Sequence, residues 1–139
     1  MVKVKSLIIT VLLFISLGIH AQSKEQVTSL FQQLLELFCK EQYDSCFNGK
    51  QYIDGSLTVT TLESDEAKNV IKVKGKHSYK GQYIPFFGRK THSNVDFKAE
   101  VSVADSGIKI RFWKWMEPDI HIHWEGPCEK TMILTDHKK

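Results

Sequence analysis

Apolar residues recur at three- and four-residue steps from about Lys24 to Gln42. Val27, Leu30, Phe31, Leu34, Leu35, Leu37 and Phe38 fall on one broad stripe. That period predicts an amphipathic helix, with Ser23 as its N-cap and Glu25 and Gln26 in the first turn. Tyr43 to Gly55 contains Asn48-Gly49 and Asp54-Gly55 and reads as a connection. Beyond it the period changes from 3.6 to 2. Ser56–Leu62 sets Leu57 and Val59 against Thr58 and Thr60. Asn69–Tyr79 sets Ile71 and Val73 against Lys72, Lys74 and Lys76. Val95, Phe97, Ala99, Val101 and Val103 then share one side of a long strand, with Asp96, Lys98, Glu100 and Ser102 on the other. After the turn Ala104-Asp105-Ser106-Gly107, Ile108, Ile110 and Phe112 face a core, and Lys109, Arg111, Trp113 and Trp115 face away. Past Pro118, two short strands are expected, Ile120–Trp124 and Thr131–Leu134. The fold class is α+β: an antiparallel sheet of four to six strands with one long N-terminal helix packed on one face. One helix cannot cover such a sheet on both sides, so the other face is solvated or used for binding.

The first 21 residues have a different character. Lys3 and Lys5 precede an apolar run from Leu7 to Ile19, and Ile19-His20-Ala21 ends on a small residue. This is the layout of a secretory signal peptide, too short for a membrane span of about 20 residues. The expectation is export to the periplasm or the medium, with residues 22–139 forming a single domain. Of the 19 bases in the chain, Lys3 and Lys5 belong to this leader, leaving 17 bases against 16 acids, a net +1. A nearly neutral mature chain offers no whole-molecule field for nucleic acid. An exported chain meets an oxidising compartment, so one disulfide among Cys39, Cys46 and Cys128 is expected. Cys39–Cys46 is the first choice, with Cys128 to either of them as the alternative.

The order of these segments resembles a family of uncharacterised exported bacterial domains with a TATA-binding-protein-like fold. The features that carry the resemblance are the leading helix Gln26–Glu41, the acidic turn Glu63-Ser64-Asp65-Glu66, and the strand Val70–Lys74 followed by Gly75. The alternating strand Val95–Val103, the Asp105-Ser106-Gly107 turn and Lys109-Ile110-Arg111-Phe112 complete it. It covers about Lys24 to Trp115. The chain departs from the pattern in lacking a strand before the helix and in its tail after Pro118. The resemblance implies fold and export and brings no activity with it.

Candidate chemistry is sparse. His121 and His123 would point to one side of a strand and could reach a metal, with Cys128, His77 or His92 completing the site. Isolated pairs of this kind are more often ordinary strand histidines, so neither a metal nor a cofactor is expected. The motifs of nucleophilic hydrolases, zinc proteases and phosphate loops do not occur, and no catalytic residue is assigned. The open sheet face carries the better candidate: Lys72, Lys74, Lys109, Arg111, Trp113 and Trp115. Long cationic stems pack beside indole rings, and Trp and Arg dominate binding hot spots. Tyr83-Ile84-Pro85-Phe86-Phe87-Gly88 is a loop that either tucks under the sheet edge or docks a partner. The functional expectation is a small exported binding domain with an unknown protein or envelope component as partner, without nucleic acid and without a membrane span. The alternatives are an inhibitor or immunity protein against an envelope toxin, and a metal-dependent enzyme using His121 and His123.

Overall fold

A computed structural model describes residues 24–105, 107–115 and 124–133. The leader, the N-cap Ser23, Ser106, Pro118, the His121–His123 pair and Leu134 lie outside the described residues. The described residues form one helix, α1 (Lys24–Cys46), and six antiparallel strands. These are β1 (Gln51–Tyr52), β2 (Thr58–Asp65), β3 (Val70–Lys80), β4 (Thr91–Ala104), β5 (Gly107–Trp115) and β6 (Trp124–Ile133). They form a curled half-barrel in the order β1-β3-β4-β5-β6, with β2 also on β3, on the same side as β1. Every partner in this meander is a near neighbour in sequence.

α1 is one turn longer than its sequence suggests. Tyr43 and Phe47 extend the buried stripe of Val27, Phe31, Leu34, Leu35, Phe38 and Cys39. The apolar period runs through the polar positions Gln42, Asp44 and Ser45, and packing decides. Termination falls at Asn48 and Gly49, both with positive φ (51° and 85°), while Gly49 N–H returns to the Asp44 carbonyl at 3.1 Å. That is the left-handed C-terminal cap in which a residue beyond the helix reaches back five positions. The expected connection therefore begins only at Phe47, and it contains β1.

The alternation in β4 and β5 is borne out. Phe97, Ala99 and Val101 meet Ile110 and Phe112 under the helix, and Phe97 and Phe112 stack at 5.2 Å. Phe38 of α1 stacks on Phe112 from above, at 5.6 Å. Val103, expected inside, is 48% exposed because the β4–β5 hairpin runs past the end of the core. Gly75 has no room for a side chain: a Cβ there would stand 1.9 Å from the Thr58 carbonyl oxygen. β2 makes a register shift between Val59 and Thr61 at the same place.

Among the described residues the tail is one strand, β6, which takes in residues 131–133 of the expected Thr131–Leu134 strand and starts seven residues earlier; the expected Ile120–Trp124 strand lies outside the described residues except for Trp124. Gly126-Pro127, a pair that ordinarily interrupts a strand, occupies a bulge. Trp113 alone faces Gly126 and Pro127, between the pairs Phe112↔Cys128 and Lys114↔Glu125. Pro127 is tolerated because β6 is an edge strand. Gly126 has φ 129°, and a Cβ there would meet the Phe112 carbonyl oxygen at 2.7 Å. The bulge inverts the facing of everything before it. Glu125 turns inward beside Lys114, and Trp124 turns outward beside Trp115.

The disulfide is Cys46–Cys128, tying the end of α1 to β6, and not the local Cys39–Cys46 pair. Seven steps along the helix separate those two by about 10 Å, beyond the reach of a disulfide. Cys39 remains a buried thiol, pushed further toward the protonated form by burial and then by Glu36.

Candidate functional site

The open face of the sheet is built in cross-strand rows. One row runs Glu63, Lys72, Glu100, Arg111, Glu129, and the next runs Thr61, Lys74, Lys98, Trp113. Lys109 lies beyond the first row, between Ser102 and Thr131, and Trp115 lies at the far end of β5 beside Trp124. All six sequence-predicted residues share this face. They do not form one site: Lys109 and Trp115 are six residues apart on one strand, about 20 Å.

Most of the cations are compensated. Lys72 pairs with Asp65 at 3.3 Å, Lys109 with Glu129 at 3.9 Å, and Lys76 with Asp96 at 2.6 Å. Arg111 lies between Glu100 and Glu129, each at 3.4 Å. Its Nε is fully buried and approaches Glu129 as an ion pair, outside hydrogen-bonding geometry. The Asp65 carboxyl is held below its ordinary range first by the Lys68 N–H, with Lys72 adding to the effect. The expected cationic surface is thus an alternating charge lattice over much of its width, with Lys72, Lys76 and Arg111 opposite acids and Lys109 diagonal to one.

The exception is the centre. Lys74 and Lys98 are direct cross-strand neighbours, and neither has an ion-pair partner among the described residues. Lys98 Nζ stands 5.1 Å from the Trp113 ring and 4.8 Å from the Trp124 ring. Arg111 lies 5.5 Å from Trp113, and Trp115 meets Trp124 edge-on at 5.1 Å. A depression of about 250 Å³ opens here, lined by Glu63, Lys72, Lys74, Lys98, Glu100 and Trp113. A larger, shallower one of about 540 Å³ adjoins it toward Lys68, Lys109 and the β4–β5 turn. Lys98 and Trp124 are the members that sequence reasoning missed. Alternation already placed Lys98 on this face, whereas Trp124 arrives through the bulge.

A second polar cluster lies under the helix. Lys114 is 1% exposed, pairs with Glu125 at 2.7 Å, and approaches the Tyr79 hydroxyl at 3.5 Å. Its ammonium lies 4.8 Å from the Tyr79 ring and 5.7 Å from Phe47. Close by, His77 Nδ1–H donates to the Val95 carbonyl at 2.8 Å, so its Nε2 accepts the Tyr43 hydroxyl at 2.7 Å. Burial lowers His77 to about 4 and pushes the Tyr43 phenol well up. Both nitrogens of His77 are engaged and Cys128 is in a disulfide, so neither completes a metal site with His121 and His123. Among the described residues no three His, Cys, Asp or Glu side chains gather to hold a metal, and no helix is long and apolar enough to cross a membrane.

No family model, curated protein or solved structure matches this chain.

Proposed function

We propose that this chain is a small exported binding domain, without catalysis of its own, that engages an envelope partner through the Lys74–Lys98–Trp113 depression. One observation carries the reading: Lys74 and Lys98 lie in register, with no ion-pair partner among the described residues, on a face where Lys72, Lys109 and Arg111 have acids. Like charges directly opposite each other destabilise a sheet. A partner that places a carboxylate or another anion between them, with apolar surface against Trp113, removes that cost. The Cys46–Cys128 disulfide supports export, since such bonds persist in oxidising compartments. The helix-and-meander order supports kinship with the exported domains of TATA-binding-protein-like fold.

The test is capture of partners from envelope extract by the wild-type chain, with identification by mass spectrometry. Lys74→Glu with Lys98→Glu should abolish capture of the specific partner, and added salt should weaken it. Lys40→Glu, on the exposed side of α1, should leave it intact. Undiminished capture by the double variant overturns the proposal.

A further inference from the structure

The β3–β4 connection does not tuck under the sheet edge. Tyr83 is 63% exposed, Ile84 52%, Phe86 99% and Phe87 84%. Phe87 N–H donates to the Ile84 carbonyl at 2.9 Å, across Pro85 and a Phe86 with φ 71°. This is a type II turn, whose third position normally takes glycine because φ is positive there. A bulky residue in that conformation costs roughly 1–2 kcal/mol, and a ring wholly in water returns nothing to the fold. Folding therefore accounts for neither the identity nor the placement of Phe86.

We propose that this tip is a membrane-binding element that inserts Phe86 and Phe87 into the interface of an anionic bilayer. Three observations fit lipid better than a protein partner. Charge is the first. From His77 to Val95 the chain has three bases, Lys80, Arg89 and Lys90, and no acid, and all three flank the tip. Aromatic rings with adjacent bases are the composition that interfacial binding uses.

The backbone is the second. Ile84 N–H bonds the Gly88 carbonyl and Gly88 N–H bonds Ile84, both at 2.8 Å; Phe87 N–H is also taken, and Pro85 has none. Four of the five tip residues thus present no free N–H, which limits the cost of leaving water. Size is the third. The tip offers four apolar side chains, whereas a standard protein interface takes about 20–30 residues a side. The base of the tip is fixed: Arg89 donates to the Gly49 and Gly81 carbonyls at 3.0 and 2.9 Å, and Gln82 to Asn48 at 2.7 Å. The rings are therefore presented without a large ordering cost.

The experiment attaches an environment-sensitive fluorophore to Phe87→Cys in the full chain. The native thiols are bonded or buried. The probes are vesicles of equimolar phosphatidylglycerol and phosphatidylcholine, and vesicles of phosphatidylcholine alone. The label should shift to the blue and be quenched by lipid-borne quenchers on the anionic vesicles, and far less on the neutral ones. A label at Asp105→Cys, at the opposite end of β4, should stay in water. Adding Phe86→Ser should weaken binding about tenfold, the order expected for one ring. No shift on either vesicle, equal shifts at both labels, or no loss with Phe86→Ser would each overturn the proposal. So would a shift without lipid that vanishes on dilution, which would assign the tip to a contact between copies.

Discussion

Removing the carboxylate of Glu125 should harm the fold more than removing the ammonium of Lys114, although they form one ion pair. The asymmetry comes from burial: Lys114 is 1% exposed on its side chain and Glu125 is 32%. In Glu125→Ala the ammonium stays enclosed by Phe47 and Tyr79 without the Glu125 carboxylate. Breaking a buried pair in this way costs about 3–5 kcal/mol. The two rings and the Tyr79 hydroxyl retain part of the stabilisation, so about 3 kcal/mol is expected. For a domain of this size that lowers the melting temperature by roughly 10 °C. In Lys114→Met the carboxylate turns to water and the thioether fills the space between the rings, so the loss should stay within about 1 kcal/mol. The double variant should resemble Lys114→Met, giving a coupling of about 2 kcal/mol or more. Urea unfolding of the four proteins at pH 7 measures this cycle. Equal losses in the two single variants would refute the reasoning, because they would mean that water already reaches the ammonium.

His77 is lowered to about 4 in the fold from an ordinary value near 6.5, so the unfolded chain takes up the proton first as pH falls. Its contribution is complete above about pH 6.5, declines toward pH 4 and then levels off; about 3 kcal/mol is lost across that window. His77→Gln should flatten this limb in urea titrations at stepped pH. The Cys46–Cys128 bond spans 82 residues, and the paired Cys46→Ser, Cys128→Ser variant should lose about 3–4 kcal/mol in calorimetry under non-reducing conditions. Phe97→Ala, which empties the stack on Phe112, should cost about 3–5 kcal/mol; a variant that melts like the wild type would shift the β4 register by one residue. Phe86→Gly relieves a left-handed phenylalanine and should raise stability slightly by the same calorimetry, while weakening attachment to anionic vesicles.

The parts of the fold that rest on period alone were readable from the chain: the buried stripe of α1, the inner residues of β4 and β5, and the shared facing of Lys72, Arg111 and Trp113. Register was not readable, and register decides the electrostatics. Nothing local in Lys72-Val73-Lys74 says that the first lysine lies opposite Glu100 and the second opposite Lys98. The bulge at Gly126-Pro127 was equally hidden, since a Gly-Pro pair is a stop signal in most contexts and only an edge strand tolerates it. Lys114 is a different kind of miss. Alternation between the outward Trp113 and Trp115 already required position 114 to point inward, and the residue type concealed it. The last turn of α1 was also legible in principle, because Cys39, Tyr43 and Phe47 continue the four-residue step.

The side chains that resemble catalytic equipment are committed to closing one end of the half-barrel. Tyr43 and Phe47 bring the end of α1 onto β3 and β5. His77 bonds α1 to β4, Lys114 and Glu125 join β5 to β6, and Cys46–Cys128 ties α1 to β6. Each has a partner that the fold itself supplies, so a role in stability accounts for it. Two groups lack such an account among the described residues: the facing lysines Lys74 and Lys98 beside Trp113, and the rings at the tip of the β3–β4 hairpin. Both carry a cost in the isolated chain, one of charge repulsion and one of backbone conformation with exposed apolar area. A structure that satisfies a lysine at 1% exposure and leaves a phenylalanine at 99% has its unmet interactions on the surface. Those surface interactions are the ones that the proposed partner and the proposed bilayer would each satisfy.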